Sequence, residues 1–301
     1  MKIVLKTSLP LPLFRRGKVR DIYDLGDKLL IVSTDRISAF DVVLPCGIPD
    51  KGKVLNQLSA FWFEKTKNIM PNHLIKVVDG DLTLNDVESL SDYSGELPDY
   101  LLGRSMLVSK AERISVECVV RGYLAGSAWV EYRETGKVGE DLLPSGMKES
   151  QELPHTIFTP TTKSDTEHDR PLTEGDIESL GIKYLLEELK EKSLLVYDYA
   201  RDYARSRGII IADTKFEFGI INGKLAIVDE LLTPDSSRFW SISQYKVGFC
   251  QSSLDKQPVR DWLTASGWDK EPPAPMLPQE VVEGTTRRYR EVYSKLTGQT
   301  I

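Results

Sequence analysis

The stretch from Gly208 to Arg238 restricts the fold more than any other part of the chain. Three β-branched residues, Ile209 to Ile211, lead into strict alternation of Asp213, Lys215 and Glu217 with Thr214, Phe216 and Phe218. Successive strand side chains point to opposite faces, so one face carries acid, base, acid and the other carries aromatics. Asn222-Gly223 signals a hairpin turn, with Leu225 to Asp229 as the return strand. Alternation alone also fits a half-buried hairpin with a solvated charged face. Asp229-Glu230, the turn at Thr233-Pro234-Asp235 and then Arg238 favour a functional site. Register decides whether the acids meet. A two-residue loop would put Val228 opposite Glu217 and send Asp229 to the aromatic face. A three-residue loop with Gly223 left-handed puts Asp229 opposite Lys215 and diagonal to Glu217, and this second arrangement is the expected one. Two carboxylates on a rigid sheet beside a lysine suit a magnesium ion with bound phosphates.

At 301 residues the chain has room for two domains or one large α/β unit. A net charge of −6 argues against nonspecific nucleic-acid binding and against an anionic membrane surface. Cys46, Cys118 and Cys250 are odd in number and far apart, which fits reduced core thiols in the cytoplasm. No apolar run approaches a membrane span, and Lys6, Pro10 and Pro12 interrupt the apolar N-terminus, making it a poor secretory signal.

Near the start, Gly17-Lys18-Val19-Arg20-Asp21-Ile22-Tyr23 reads as a glycine turn and a strand, followed by a second strand over 28–34. Lys18 and Arg20 beside Gly17 suit cover for nucleotide phosphates, but the stretch matches neither the phosphate-loop nor the dinucleotide pattern, and a plain basic hairpin fits it as well. Leu58, Phe61 and Trp62 mark a packed helix over 55–66. Residues 68–104 look β-rich with long polar connections. The strand at 116–121 brackets apolar residues with Glu117 and Arg121, which are costly to bury unless paired or bound to a ligand. Gly126-Ser127 follows, offering amides and a hydroxyl to a phosphate, and a short helix is expected over 128–133. A connection rich in Gly, Pro and Thr occupies 134–172, holding Lys163, His155 and His168, with no His/Cys cluster to suggest zinc. Thr173 with Asp176 resembles an N-cap, and Leu185, Leu189, Val196, Tyr199 and Tyr203 recur at helical spacing before Gly208 ends the run. The tail carries Lys256, Gln257 and Arg260, a Pro-rich linker at 271–278 and a last helix over 279–296.

Together these stretches resemble the SAICAR synthetase family along nearly the whole chain. The most specific parts are Val119-Val120-Arg121-Gly122-Tyr123-Leu124-Ala125-Gly126-Ser127 and Ile211-Ala212-Asp213-Thr214-Lys215-Phe216-Glu217-Phe218-Gly219. Gly17 to Tyr23, Asp35-Arg36-Ile37-Ser38 and Asp229-Glu230 through Arg238 support them. One departure is Ser115, where the family often has proline two residues before the strand glutamate.

The resemblance implies an α+β, two-domain fold with a kinase-like or ATP-grasp-like nucleotide cleft and C-terminal helices. Its expected segments are a β-rich nucleotide-covering domain at 1–115, a central α/β domain at 116–245 and a helical segment at 246–301. The implied reaction is that of an ATP-dependent ligase of purine biosynthesis, joining L-aspartate to carboxyaminoimidazole ribotide (CAIR) with release of ADP and phosphate. It would proceed through carboxylate phosphorylation, which needs positioning and charge neutralisation more than a protein nucleophile. By the same likeness, Glu217 and Asp229 hold magnesium, and Lys215, Asp213 and Arg238 are catalytic. ATP falls to Gly17, Lys18, Arg20, Lys163 and Glu217. The ribotide falls to Glu117, Arg121, Ser127, Asp213 and Arg238, while Arg36, Ser38, Lys256 and Gln257 are candidates for L-aspartate. The resemblance also implies a cytoplasmic monomer with small-molecule partners, and neither nucleic acid nor membrane. Two rivals remain: a small-molecule kinase that phosphorylates a hydroxyl, and a noncatalytic nucleotide sensor.

Overall fold

The computed structural model describes residues 3–79, 98–163 and 170–301. In chain order the strands and helices are β1 (Leu13–Arg16), β2 (Arg20–Asp24), β3 (Lys28–Ser33), β4 (Arg36–Ala39), β5 (Val42–Gly47), α1 (Lys51–Thr66), β6 (Leu74–Val77), β7 (Ser105–Ser109) and β8 (Glu112–Tyr123). There follow α2 (Ser127–Thr135), β9 (Lys137–Val138), β10 (Asp141–Leu142), β11 (Glu152–Phe158), β12 (Thr161–Thr162), α3 (Glu174–Ser179) and α4 (Lys183–Ser206). The remainder is β13 (Ile209–Ile221), β14 (Lys224–Val228), β15 (Ser237–Ser241), α5 (Gln257–Ala265) and α6 (Gln279–Thr297).

Two units share these elements. The first combines 1–64, 73–111 and 255–301; the second combines 65–72 and 112–254. This grouping differs from the boundaries expected at 115 and 245, because the C-terminal helices do not form a segment of their own. Val259, Leu263 and Leu277 join Ile37, Ala39 and Leu44 of the β4–β5 ribbon, and Ile48 just past it, in one apolar cluster. Arg290 of α6 donates from Nε to the buried Asp50 carboxylate at 2.9 Å. The first unit also contains an antiparallel sheet in the order β1-β2-β3-β7-β6, packed on a core that includes Tyr23, Leu30, Val32 and Leu107. Of the expected β-rich stretch at 68–104, residues 80–97 lie outside the described residues, as do His168 and Asp169.

The second unit is organised on β13. Its sheet runs β11-β8-β13-β14, with β12 also pairing β8 and β15 also pairing β13. Alternation works as the sequence implies: Phe216 and Phe218 are fully buried, and Asp213 and Glu217 lie on the other face. Helix α4 packs against β13 and β8. Its buried stripe is Leu189, Ser193, Val196, Tyr197, Ala200 and Ala204. The expected stripe through Tyr199 and Tyr203 is displaced, and Tyr199 is exposed, because Ser193, Ala200 and Ala204 are small enough to let the helix backbone approach the sheet.

The β13–β14 hairpin corrects the expected register. Glu217 pairs with Val228 and Ile221 with Lys224, leaving the two-residue loop Asn222-Gly223. Both loop residues are left-handed, with φ of 52° and 74°, as a type I′ turn requires. Asp229 therefore does not sit opposite Lys215. It lies one residue beyond β14 at φ 69°, so strand alternation no longer dictates where its side chain points.

Candidate active site

In the second unit β8 and β13 run antiparallel with Asp213 opposite Arg121, Lys215 opposite Val119 and Glu217 opposite Glu117. All six share one face, and the two charged pairs stand four residues, or about 13 Å, apart along the strands.

At one pole, Glu117 and Glu217 are directly opposed and each only 6% exposed. Facing like charges are destabilising unless cations intervene. Two lysines do so. Lys163 Nζ lies 3.1 Å from Glu117 Oε1 and also contacts Glu217 Oε1. Lys215 Nζ lies 3.3 Å from Glu217 Oε1 and also contacts Glu117 Oε1. Burial alone would lower the Lys215 pKa, but the carboxylates of Glu217, Glu117 and Asp229 outweigh it and raise the ammonium above its ordinary value. Asp229 thus acts on this pole in spite of the corrected register. Lys163 arrives by way of β12, which pairs Thr161 with Glu117 and Thr162 with Val116. No length of local sequence announces that delivery.

At the other pole, Asp213 pairs across β13 with both Arg121 and Arg238. Its Oδ2 accepts from Arg238 Nη1 and lies 3.5 Å from Arg121 Nη1. Arg121 further donates from Nε to Thr159 Oγ1 at 2.9 Å and from Nη2 to Ser127 Oγ at 3.2 Å. Burial pulls the Arg121 pKa down; Asp213 opposes that shift and Arg238 adds to it. Two guanidiniums around one carboxylate leave an excess positive charge beside a hydroxyl at the start of α2, which suits a phosphate. Gly126 is required here: at φ 58° and ψ −131° it caps α2, and a Cβ on it would stand 2.4 Å from Arg238 Nη2.

Lys163, Lys215, Glu117, Glu217, Arg121, Ser127, Asp213 and Arg238 are thus assembled on one face, as two poles. Glu117, expected with the ribotide group, stands at the lysine pole. Thr159 escaped the sequence reading, since only the β8–β11 pairing brings it to Arg121.

The remaining candidates belong to the first unit. The Gly17 amide donates to the Arg20 carbonyl at 2.8 Å, closing the turn that carries Lys18, whose ammonium pairs with Asp41. Arg36, expected at a substrate, is 9% exposed and directs its donors at the protein. Its Nη2 reaches the Gly17 carbonyl at 3.0 Å and Asp21 Oδ1 at 2.8 Å, its Nε reaches the Lys18 carbonyl at 3.1 Å, and its Nη1 reaches the Leu5 carbonyl. It clamps the turn. Ser38 is buried in β4 opposite Val43. Lys256 caps α5, and the Gln257 side chain donates to Asp261 Oδ1 at 2.8 Å along the same helix.

Among the described residues no three acidic, histidine or cysteine side chains converge to hold a metal ion by themselves. The oxygen donors at the lysine pole still suit magnesium, which is commonly held by one or two carboxylates together with substrate phosphates.

A sequence model of the family described as SAICAR synthetase matches residues 13–275. The chain is 51% identical over 300 residues to the phosphoribosylaminoimidazole-succinocarboxamide synthase of Thermodesulfovibrio yellowstonii, covering 98% of this chain and 99% of that one. It is 49% identical over 303 residues to the corresponding synthase of Geobacter sulfurreducens, covering 99% of each. Among solved structures, the SAICAR synthase from Saccharomyces cerevisiae complexed with SAICAR superposes with a TM-score of 0.86 at 44% identity, covering 99% of both chains. A SAICAR synthetase in complex with ADP superposes at 0.68 and 26% identity, over 95% of this chain and 98% of that one.

Proposed function

The chain belongs to the SAICAR synthetase family, and on that premise we propose how its own residues carry out the family's reaction. The enzyme is an ATP-dependent ligase that joins L-aspartate to the carboxylate of CAIR, giving SAICAR, ADP and phosphate. A carboxylate is a poor electrophile. In the proposed sequence a CAIR carboxylate oxygen attacks the γ-phosphorus of ATP and the bond to the ADP oxygen breaks. The aspartate amine then attacks the acyl carbon, phosphate leaves with the electron pair of the C–O bond, and the amine gives up a proton.

The observation that carries the assignment is the opposed Glu117–Glu217 pair bridged by Lys163 and Lys215 on the same face as the Arg121–Asp213–Arg238 group. Lys163 and Lys215 neutralise charge on the transferring phosphoryl group. Glu217 and Asp229 would hold magnesium, with Glu117 beside them; the ion would supply charge neutralisation at the phosphate oxygens. Arg121, Ser127 and Arg238 bind the ribotide, oriented by Asp213. In the first unit the Gly17 turn offers Lys18 and Arg20 to nucleotide phosphates, and Arg36 acts through that turn. L-Aspartate is assigned to Ser38, Lys256 and Gln257. The enzyme is proposed to be a cytoplasmic monomer; no helix among the described residues is long and apolar enough to cross a membrane.

An ADP-release assay with ATP, CAIR and L-aspartate omitted in turn tests this function. ADP should form only when all three are present. Turnover that ignores the amine would instead mark a kinase, and no turnover at all a nucleotide sensor.

A further inference from the structure

Behind the ribotide pole lies a contact that none of the roles above uses. Tyr197 of α4 is fully buried, and its hydroxyl donates to the Ile211 carbonyl at 2.7 Å. The bond falls where β13 is irregular. Ile211 pairs with Phe239 and Asp213 with Arg238, so the β13–β15 register slips by one residue between them. Pairing of β13 with β8 also begins only at Asp213, and Tyr123, two residues past Arg121, pairs instead with Glu152 of β11. A slip of this kind re-aims the neighbouring side chain. Here it sets Asp213 opposite both arginines at once.

Gly122 completes the device. It follows Arg121 on β8 and points to the other face of the sheet, where α4 packs. A Cβ at this position would stand 2.1 Å from the Tyr197 hydroxyl oxygen and 3.0 Å from its Cζ. The missing side chain is the seat of the hydroxyl. Burial, and next the Asp213 charge, hold the Tyr197 pKa well above its ordinary value, so the proton remains in place to be donated.

We infer that the Tyr197 hydroxyl, seated over Gly122 and bonded to the Ile211 carbonyl, is a positioning group for ribotide binding, holding the β13 slip that aims Asp213 between Arg121 and Arg238. The inference rests on the assignment of those two arginines to the ribotide.

Steady-state kinetics of three full-length variants separate the two claims. Arg121→Lys tests the assignment and should raise the KM for CAIR at least tenfold. Tyr197→Phe tests the inference and should raise the KM for CAIR about five- to tenfold, the scale of one buried hydrogen bond, with the KM for ATP within twofold of wild type. Gly122→Ala, which displaces the hydroxyl from the opposite side, should split the two KM values in the same direction. An unchanged CAIR KM in Arg121→Lys removes the assignment. A large effect in Arg121→Lys with none in Tyr197→Phe overturns the inference alone, as does an equal rise in both KM values. If neither Tyr197→Phe nor Gly122→Ala folds, the contact belongs to the core and the positioning role falls.

Discussion

Replacing Gly126 by alanine should damage ribotide binding as well as stability, and the structure lets the two effects be separated. At φ 58° and ψ −131° the backbone occupies a region that glycine alone tolerates. A side chain there costs about 1–3 kcal/mol, offset by about 0.4–1 kcal/mol from the smaller unfolded-state entropy of alanine. The net cost is then about 0–2.6 kcal/mol, and at about 2–4 °C per kcal/mol the melting temperature should fall by at most about 10 °C. The second effect is steric. The added carbon would lie 2.4 Å from Arg238 Nη2 and 2.7 Å from its Cζ, where ordinary contact is about 3.5–4 Å. The guanidinium must retreat by about 1 Å and lose its hold on Asp213 or on substrate. A charge-assisted hydrogen bond is worth about 1.5–3 kcal/mol, so kcat/KM for CAIR should fall about 10- to 150-fold. Gly136→Ala is the control. It sits at the other end of the same helix, at φ 74° with nothing within 4 Å of an added Cβ, and should share the strain without the kinetic loss. Equal CAIR kinetics in the two variants would refute the reasoning.

Other consequences can be checked alongside. Glu217→Gln and Asp229→Asn should each shift the magnesium titration of turnover to higher concentration, and EDTA should abolish turnover; an unchanged titration in both would defeat the metal assignment. Lys215→Ala should lower kcat by at least about a hundredfold while the circular dichroism spectrum stays that of the folded protein, as expected for loss of charge stabilisation. Burial works against the Asp21 charge, but its bonds from Arg36 and Thr7 prevail and hold its pKa below 3.8. Its stabilisation is therefore complete above the free value and lost as pH falls below that value through the depressed folded-state pKa, so urea midpoints should drop below pH 4 in wild type and less steeply in Asp21→Asn. Arg290→Met should destabilise by about 1–3 kcal/mol in urea unfolding, since it leaves the 2%-exposed Asp50 side chain without its guanidinium, itself partly in water.

Strong periodicity made the local elements legible. The long strand through Asp213, the helix ending before Gly208 and the last helix all follow from residue pattern, because each buries one face. Register was harder. Asn222-Gly223 serves a two-residue or a three-residue loop, and only the left-handed Asn222 separates them. Position in the sheet was harder still. Glu117 and Glu217 lie a hundred residues apart, and local reasoning has no cause to oppose two acids; Lys215 of β13 and Lys163 just past β12 make that pairing tolerable. Arg36, a candidate for L-aspartate only through the family likeness, shows a second kind of gap: backbone carbonyls and Asp21 occupy its donors, and those partners are not adjacent in the sequence.

The first unit is stitched from both halves of the polypeptide, with residues 255–301 completing the cluster around Ile37 and Leu44. During synthesis, then, the ribosome finishes the sheet built on β13 while its predecessor still lacks α5 and α6. The unit built on β13 should acquire protease resistance first on a nascent chain, and the amino-terminal segment must wait, partly assembled, until the last helix emerges.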